Sequence, residues 1–208
     1  HRRSAGRRPA PAGLAVFFLA GAVLAALVAV VVTWAGGRGA GTGEGGSPET
    51  SAARAPGEAA GTVPAGWVSY QHPTVGFTLR HPPGWTIETS GTLTDFRDPA
   101  TGAYLRVDYT TSPGPSAEQA WLDLEPRFAA AHAGYRRIRI EPTTYQGYPA
   151  AIWEFTYTDG GAPLRAVDLG FVTGPYGFAL NFQTPARLWD PMQDQFEAFK
   201  ASFRPPAG

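Results

Sequence analysis

The chain has 208 residues, 17 basic and 17 acidic side chains, and no cysteine. The missing cysteine excludes disulfides, thiol nucleophiles, cysteine-ligated metals and a lipid anchor on an N-terminal cysteine. No stripe of basic residues suited to a phosphate backbone occurs, which excludes nucleic acid as a partner.

The chain opens on His1 rather than Met and so reads as part of a longer protein. Residues 1–13 carry Arg2, Arg3, Arg7 and Arg8 and no acid. Leu14 to Trp34, "LAVFFLAGAVLAALVAVVVTW", is uncharged, and about 20 such residues span a bilayer as a helix. A signal peptide has a shorter apolar run and a small-residue cleavage site, so a transmembrane helix is the better reading. The arginine excess before it places residues 1–13 in the cytoplasm and everything after Trp34 outside the cell. Gly21, Ala25 and Ala29 form a small-residue face on which two such helices would pair, although alanine-rich helices also show this spacing by chance.

Residues 35–65 are rich in Gly, Ala and Pro and hold no aromatic side chain. Such a segment cannot bury enough surface to fold and reads as a flexible linker with a reach of roughly 30 Å. "GTGEGG" within it superficially resembles a phosphate-binding loop but has no strand or helix around it.

From residue 66 to 208 the texture changes. Ala103, Leu105, Val107 and Tyr109 alternate with Tyr104, Arg106, Asp108 and Thr110, which predicts a half-buried strand. Ala151, Trp153, Phe155 and Tyr157 repeat the pattern, as do Tyr176, Phe178, Leu180 and Phe182. "RAVDLGFV", from Arg165, is apolar on both sides and predicts a central strand. Ser116 caps a predicted helix with Ala117, Trp121, Leu124 and Phe128 on one face, and Pro126 predicts a kink or an end near Glu125. A second helix carries Met192, Phe196, Phe199 and Phe203, with Asp190 as its cap and Pro191 in its first turn. The expected fold is α+β: an antiparallel sheet of about six or seven strands with two packed helices.

Candidate sites are few. No G-x-S-x-G elbow occurs, so no catalytic residue is assigned. His72 and His81 lack a third ligand at metal-binding spacing, and the prolines that follow them mark strand ends, so neither a metal nor a cofactor is expected. His132 stands where a helix C-terminus favours a basic group. Asp95 with Asp98, or Asp108 with Asp168, are carboxylate pairs that the fold can bring together, although acids on strand faces are usually solvated. "YRRIRIE" is the one basic cluster: Arg137 and Arg139 are expected to point outward with Ile138 and Ile140 inward, and Arg136, Arg137 and Arg139 form a candidate patch for an anion or an acidic partner.

"YQHPTVGFTLRHPPGWTIE", "AAIWEFTY", "YGFALNFQTP" and "FEAFKASFRP" resemble the strands, turns and last helix of PsbP-like domains. The whole layout, an arginine-flanked helix, a linker and such a domain, resembles the C-terminal half of actinobacterial serine/threonine protein kinases. That resemblance implies a non-catalytic extracellular sensor module on a single-pass anchor, with membrane, an envelope ligand and a second copy as partners. The kinase glycine loop, "HRD" and "DFG" are absent from these residues, so a kinase domain would lie upstream of His1. The alternatives are an envelope scaffolding protein without a kinase and an anchored hydrolase.

Overall fold

A computed structural model describes residues 61–207. The basic segment 1–13, the apolar segment 14–34 and nearly all of the linker 35–65 lie outside the described residues. Among the described ones, no helix is long and apolar enough to cross a membrane.

Period-two patterning and turn glycines divide this part of the chain into strands. β1 (Val68–Gln71) and β2 (Thr78–His81) form a separate hairpin. β3 (Thr86–Ser90), β4 (Leu93–Arg97), β5 (Tyr104–Thr110), β6 (Arg136–Tyr145), β7 (Tyr148–Asp159), β8 (Ala162–Val172) and β9 (Gly177–Pro185) form one antiparallel sheet. Its order is β3-β4-β5-β9-β8-β7-β6, which makes β9 the central strand and β8 an interior one beside it, as the double-sided apolar pattern of β8 requires. Helix α1 (Ala117–Ala131) links β5 to β6, and α2 (Gln193–Ser202) follows β9. The expected α+β sheet with two helices is thus present. Two-residue turns at Gln146-Gly147 and Gly160-Gly161, all at positive φ, join β6 to β7 and β7 to β8.

Side chains pack on both faces of the sheet. On one, Leu105, Val107, Leu169, Phe171, Phe178 and Phe182 pack beneath Phe196, Phe199 and Phe203 of the α2 segment. The β1–β2 hairpin adds Phe77 and Leu79 to the same core, and Thr78 exchanges two backbone hydrogen bonds with Arg204 beyond α2. Each such side chain contributes about 1.5–3 kcal/mol of apolar burial. On the other face, Ala151, Trp153, Phe155 and Tyr157 of β7 lie beneath Ala117 and Trp121 of α1.

Ser116 caps α1, its hydroxyl accepting from the Gln119 N–H at 3.1 Å. The helix does not end near Glu125 but runs through Pro126 to Ala131. One missing N–H is tolerated because the buried face holds the helix down: Trp121 packs on Trp153, and Phe128 meets Trp153, Phe155 and Tyr157 edge-on. At the other helix, Asp190 does not cap α2; it opens a 3-10 turn, Asp190–Met192, and no side chain caps the helix.

Strand β6 departs most from expectation. A bulge lies between Arg137 and Arg139, so Ile138 is 46% exposed instead of inward, while Ile140 is half-buried. The extra residue also turns Arg137 and Arg139 to opposite faces of the sheet, Arg137 pairing with Phe155 and Arg139 with Glu154.

Candidate functional site

Helix α1 packs over β6, β7 and β8, and no described helix covers the β4–β5–β9 part of the same face. Antiparallel register fixes which side chains meet there. Asp95, Arg106, Asn181, Asp168 and Trp153 stand side by side across β4, β5, β9, β8 and β7. One row away lie Arg97, Tyr104, Gln183, Ala166 and Phe155; on the other side lie Leu93, Asp108, Ala179, Gly170 and Ala151. The polar residues therefore gather toward β5 and β9, and the small and aromatic ones lie beneath α1.

Two arginines serve a single acid. Arg106 donates from Nε and Nη2 to the two oxygens of Asp95 at 2.6 and 2.8 Å, and Arg97 adds a bond at 2.5 Å. Burial alone would raise the Asp95 pKa, but the hydrogen bonds and charges of these arginines outweigh it and hold the carboxyl below its ordinary range. Arg97 also lies 4.3 Å over the Tyr104 ring, which fixes its guanidinium.

Asp108 and Asp168 have no such partner. Asp168 accepts from Asn181 at 3.3 Å, and Oδ1 of both acids is buried without a hydrogen bond among the described residues. Burial pushes each carboxyl up to about 7. Thr92 and the Tyr109 backbone oppose this at Asp108, as Asn181 and Arg106 do at Asp168, and the Asp168 charge adds to the rise at Asp108. Tyr157 completes this polar region, its hydroxyl donating to Gln183 Oε1 at 2.5 Å.

The sequence named Asp108 with Asp168, and the register brings them to one face across β9. Asp95 and Asp98 are not brought together. Asp98 holds the β4–β5 turn, accepting from the Ala100 N–H at 2.9 Å and the Thr101 hydroxyl at 2.6 Å. Asn181, Gln183, Tyr104 and Tyr157 were not singled out. Their signal was polarity on strands flanked by apolar runs, above all Asp168 inside "RAVDLGFV".

The histidines lie apart from this face. His72 accepts from the N–H groups of Thr74 and Val75 through Nδ1, closing the β1–β2 turn, and stacks on Phe77. Its ring meets that of Tyr109 in a T-shaped contact, and burial lowers its pKa. His81 donates to the Pro82 carbonyl at 2.9 Å and packs near Phe96. His132 donates to the Phe128 carbonyl at 2.8 Å, satisfying the end of α1.

The basic cluster on β6 is divided. Arg137 binds Glu125 of α1, whose carboxylate also accepts from Tyr135 at 2.5 Å. The Arg137 hydrogen bond is the main reason that the Glu125 pKa falls, while burial and Glu125 push Tyr135 up to about 12. Arg139, on the opposite face, joins Arg165 on the buried Glu154 at 2.9 and 2.5 Å. Arg136 is exposed and forms no ion pair among the described residues.

The fold is shared with cyanobacterial PsbP from Synechocystis at 17% identity and a TM-score of 0.54, over 72% of this chain and 98% of that one. It is also shared with LpqN, involved in cell envelope biogenesis of Mycobacterium tuberculosis, at 12% identity and a TM-score of 0.50, over 67% of this chain and 90% of that one. These likenesses define the architecture, a PsbP-like α+β domain. Residues 69–205 match the family described as serine/threonine kinase C-terminal domain, and the chain belongs to that family. No curated protein sequence matches it.

Proposed function

We propose that this domain is the non-catalytic binding module that a membrane-anchored serine/threonine protein kinase presents outside the cell, with the β4–β5–β9 face as its contact surface. Membership in the kinase C-terminal family supports the link to a kinase. The apolar segment 14–34 and its arginine flank support the anchor and the orientation. The observation that carries the contact surface is the row Asp95–Arg106–Asn181–Asp168, a line of directed donors and acceptors on a part of the sheet that no described helix covers. Ligand binding brings two copies together, and the single span then passes the event on as dimerisation, since a linker of Gly/Ala/Pro composition is not suited to act as a lever.

The test is sedimentation of the 208-residue chain in detergent micelles while soluble cell-envelope fragments are added. A shift toward dimer is expected, and Asn181→Ala or Gln183→Ala should weaken it without unfolding the domain. A chain that stays monomeric at every fragment concentration sinks this model. The genomic sequence preceding His1 separates it from an envelope scaffold: a kinase domain there supports the receptor, and its absence supports the scaffold.

A further inference from the structure

The polar face has an unbalanced set of charges. Both oxygens of Asp95 are taken by Arg106, with Arg97 on the same carboxylate, so neither arginine is bonded to Asp108 or Asp168. Asn181 gives Asp168 its one hydrogen bond among the described residues, and Oδ1 of each acid has none. Asp108 is 6% exposed.

The groups around the two acids offer little further compensation. Leu93 and Ala179 flank Asp108 across β4 and β9, with Thr92 in the β3–β4 turn. Asn181 and Trp153 flank Asp168, with Arg106 and Tyr104 on the same face. From α1, Ala117 and Trp121 pack on the neighbouring Gly170, and the only buried charge of that helix, Glu125, is turned to Arg137 and Tyr135.

A buried carboxylate with an unpartnered oxygen attracts a cation or a proton. A metal ion needs more ligands than two acids supply, and among the described residues no group of three suitable side chains surrounds a common point. A proton needs a single oxygen and no access path wider than itself.

We propose that Asp108 and Asp168 form a proton-binding pair that reverses the sign of charge on this face. With both acids protonated, the face holds Asp95 against Arg97 and Arg106, an excess of one positive charge. With both ionised, three acids face the same two arginines, an excess of one negative charge. The rise of both carboxyls to about 7 places the reversal around neutral pH. The protonated face thus favours an anionic group on a partner, and the ionised face a cationic one. That consequence rests on the reading of this face as a contact surface; the proton binding itself does not.

The test is a carboxyl carbon-13 NMR titration of the labelled 208-residue chain with no partner added. Two aspartate signals are expected to titrate between about pH 6 and 8, a proton affinity about a thousandfold above that of an exposed aspartate. Asp108→Asn and Asp168→Asn should each remove one of them, and the wild-type spectrum decides the matter if a variant does not fold. Titration of every aspartate near pH 4 overturns the proposal. Titration near neutrality without any fragment-induced dimer leaves the proton pair standing and removes the receptor model; the converse result does the reverse.

Discussion

Trp121 fills the space that a side chain on Gly170 would occupy. A Cβ at Gly170 would lie 2.6 Å from Trp121 Cζ2 and 3.0 Å from the Ala117 Cβ. The glycine, in the middle of an interior strand where it is otherwise costly, is what lets α1 approach the sheet. Gly170→Ala is expected to destabilise the protein by about 1–3 kcal/mol, since overpacking must displace the helix or the indole. Calorimetry of the variant measures this, and an unchanged or raised thermal midpoint would contradict the packing.

Pro126 is exposed, so replacing it disturbs no contact of the core. A proline inside a helix costs about 3 kcal/mol through its missing N–H and ring clash. Its stiffening of the unfolded chain offsets up to about 1 kcal/mol of that. Pro126→Ala should therefore stabilise by about 1–2 kcal/mol, read as a higher midpoint in urea with an unchanged slope. A lower midpoint would mean that the proline serves the seat of Phe128.

The dependence of stability on pH should have two opposed limbs. Asp95 and Glu125 are held below their ordinary values by their arginines, so they stabilise above about pH 4.5 and that contribution is lost as pH falls. Asp108 and Asp168 are raised to about 7, so between about pH 4 and 7 the unfolded chain gives up protons that the folded one keeps. Stability falls over that window and levels off above it. The maximum is expected near about pH 4, where the two limbs cross, and the decline above it should flatten in Asp168→Asn. Thermal midpoints between pH 3 and 9 check both limbs, and a maximum near pH 8 would contradict the assignment.

Gln146 is the one non-glycine residue at positive φ among the described residues, at 50°. Its amide donates to the Phe203 carbonyl at 2.8 Å, so the β6–β7 turn holds the end of α2. Gln146→Ala keeps the strained backbone and loses the bond, costing about 1–2 kcal/mol. Gln146→Gly loses the bond but relieves about 1 kcal/mol of strain, and should be nearly neutral. In both, amide exchange in the last turn of α2 should quicken; unchanged exchange would deny the tie.

Most strands were legible because burial imposes a period of two, and the alternations around Leu105, Trp153 and Leu180 survive as opposite faces of one sheet. The bulge at Ile138 was not legible, since one extra residue leaves local alternation intact and shows only against β7. The helix outlasting Pro126 was equally hidden, as its support comes from Trp153 and Phe155, far along the chain. Asp108 and Asp168 were named as a pair, but the burial of an oxygen of each was not foreseen. It depends on β9 lying between their strands, which no local pattern records. The split of Arg137 from Arg139 follows from the same bulge.

That bulge has a consequence for crowding. Strand β6 is one margin of the sheet, with Ile138 breaking the spacing of its free backbone groups and Pro142 lacking a donor in the same strand. The opposite margin, β3, is only five residues long. A strand from a neighbouring molecule finds no long regular ladder at either border. Domains held at high density therefore do not fuse edge to edge into extended sheets, and recognition between them is left to side chains.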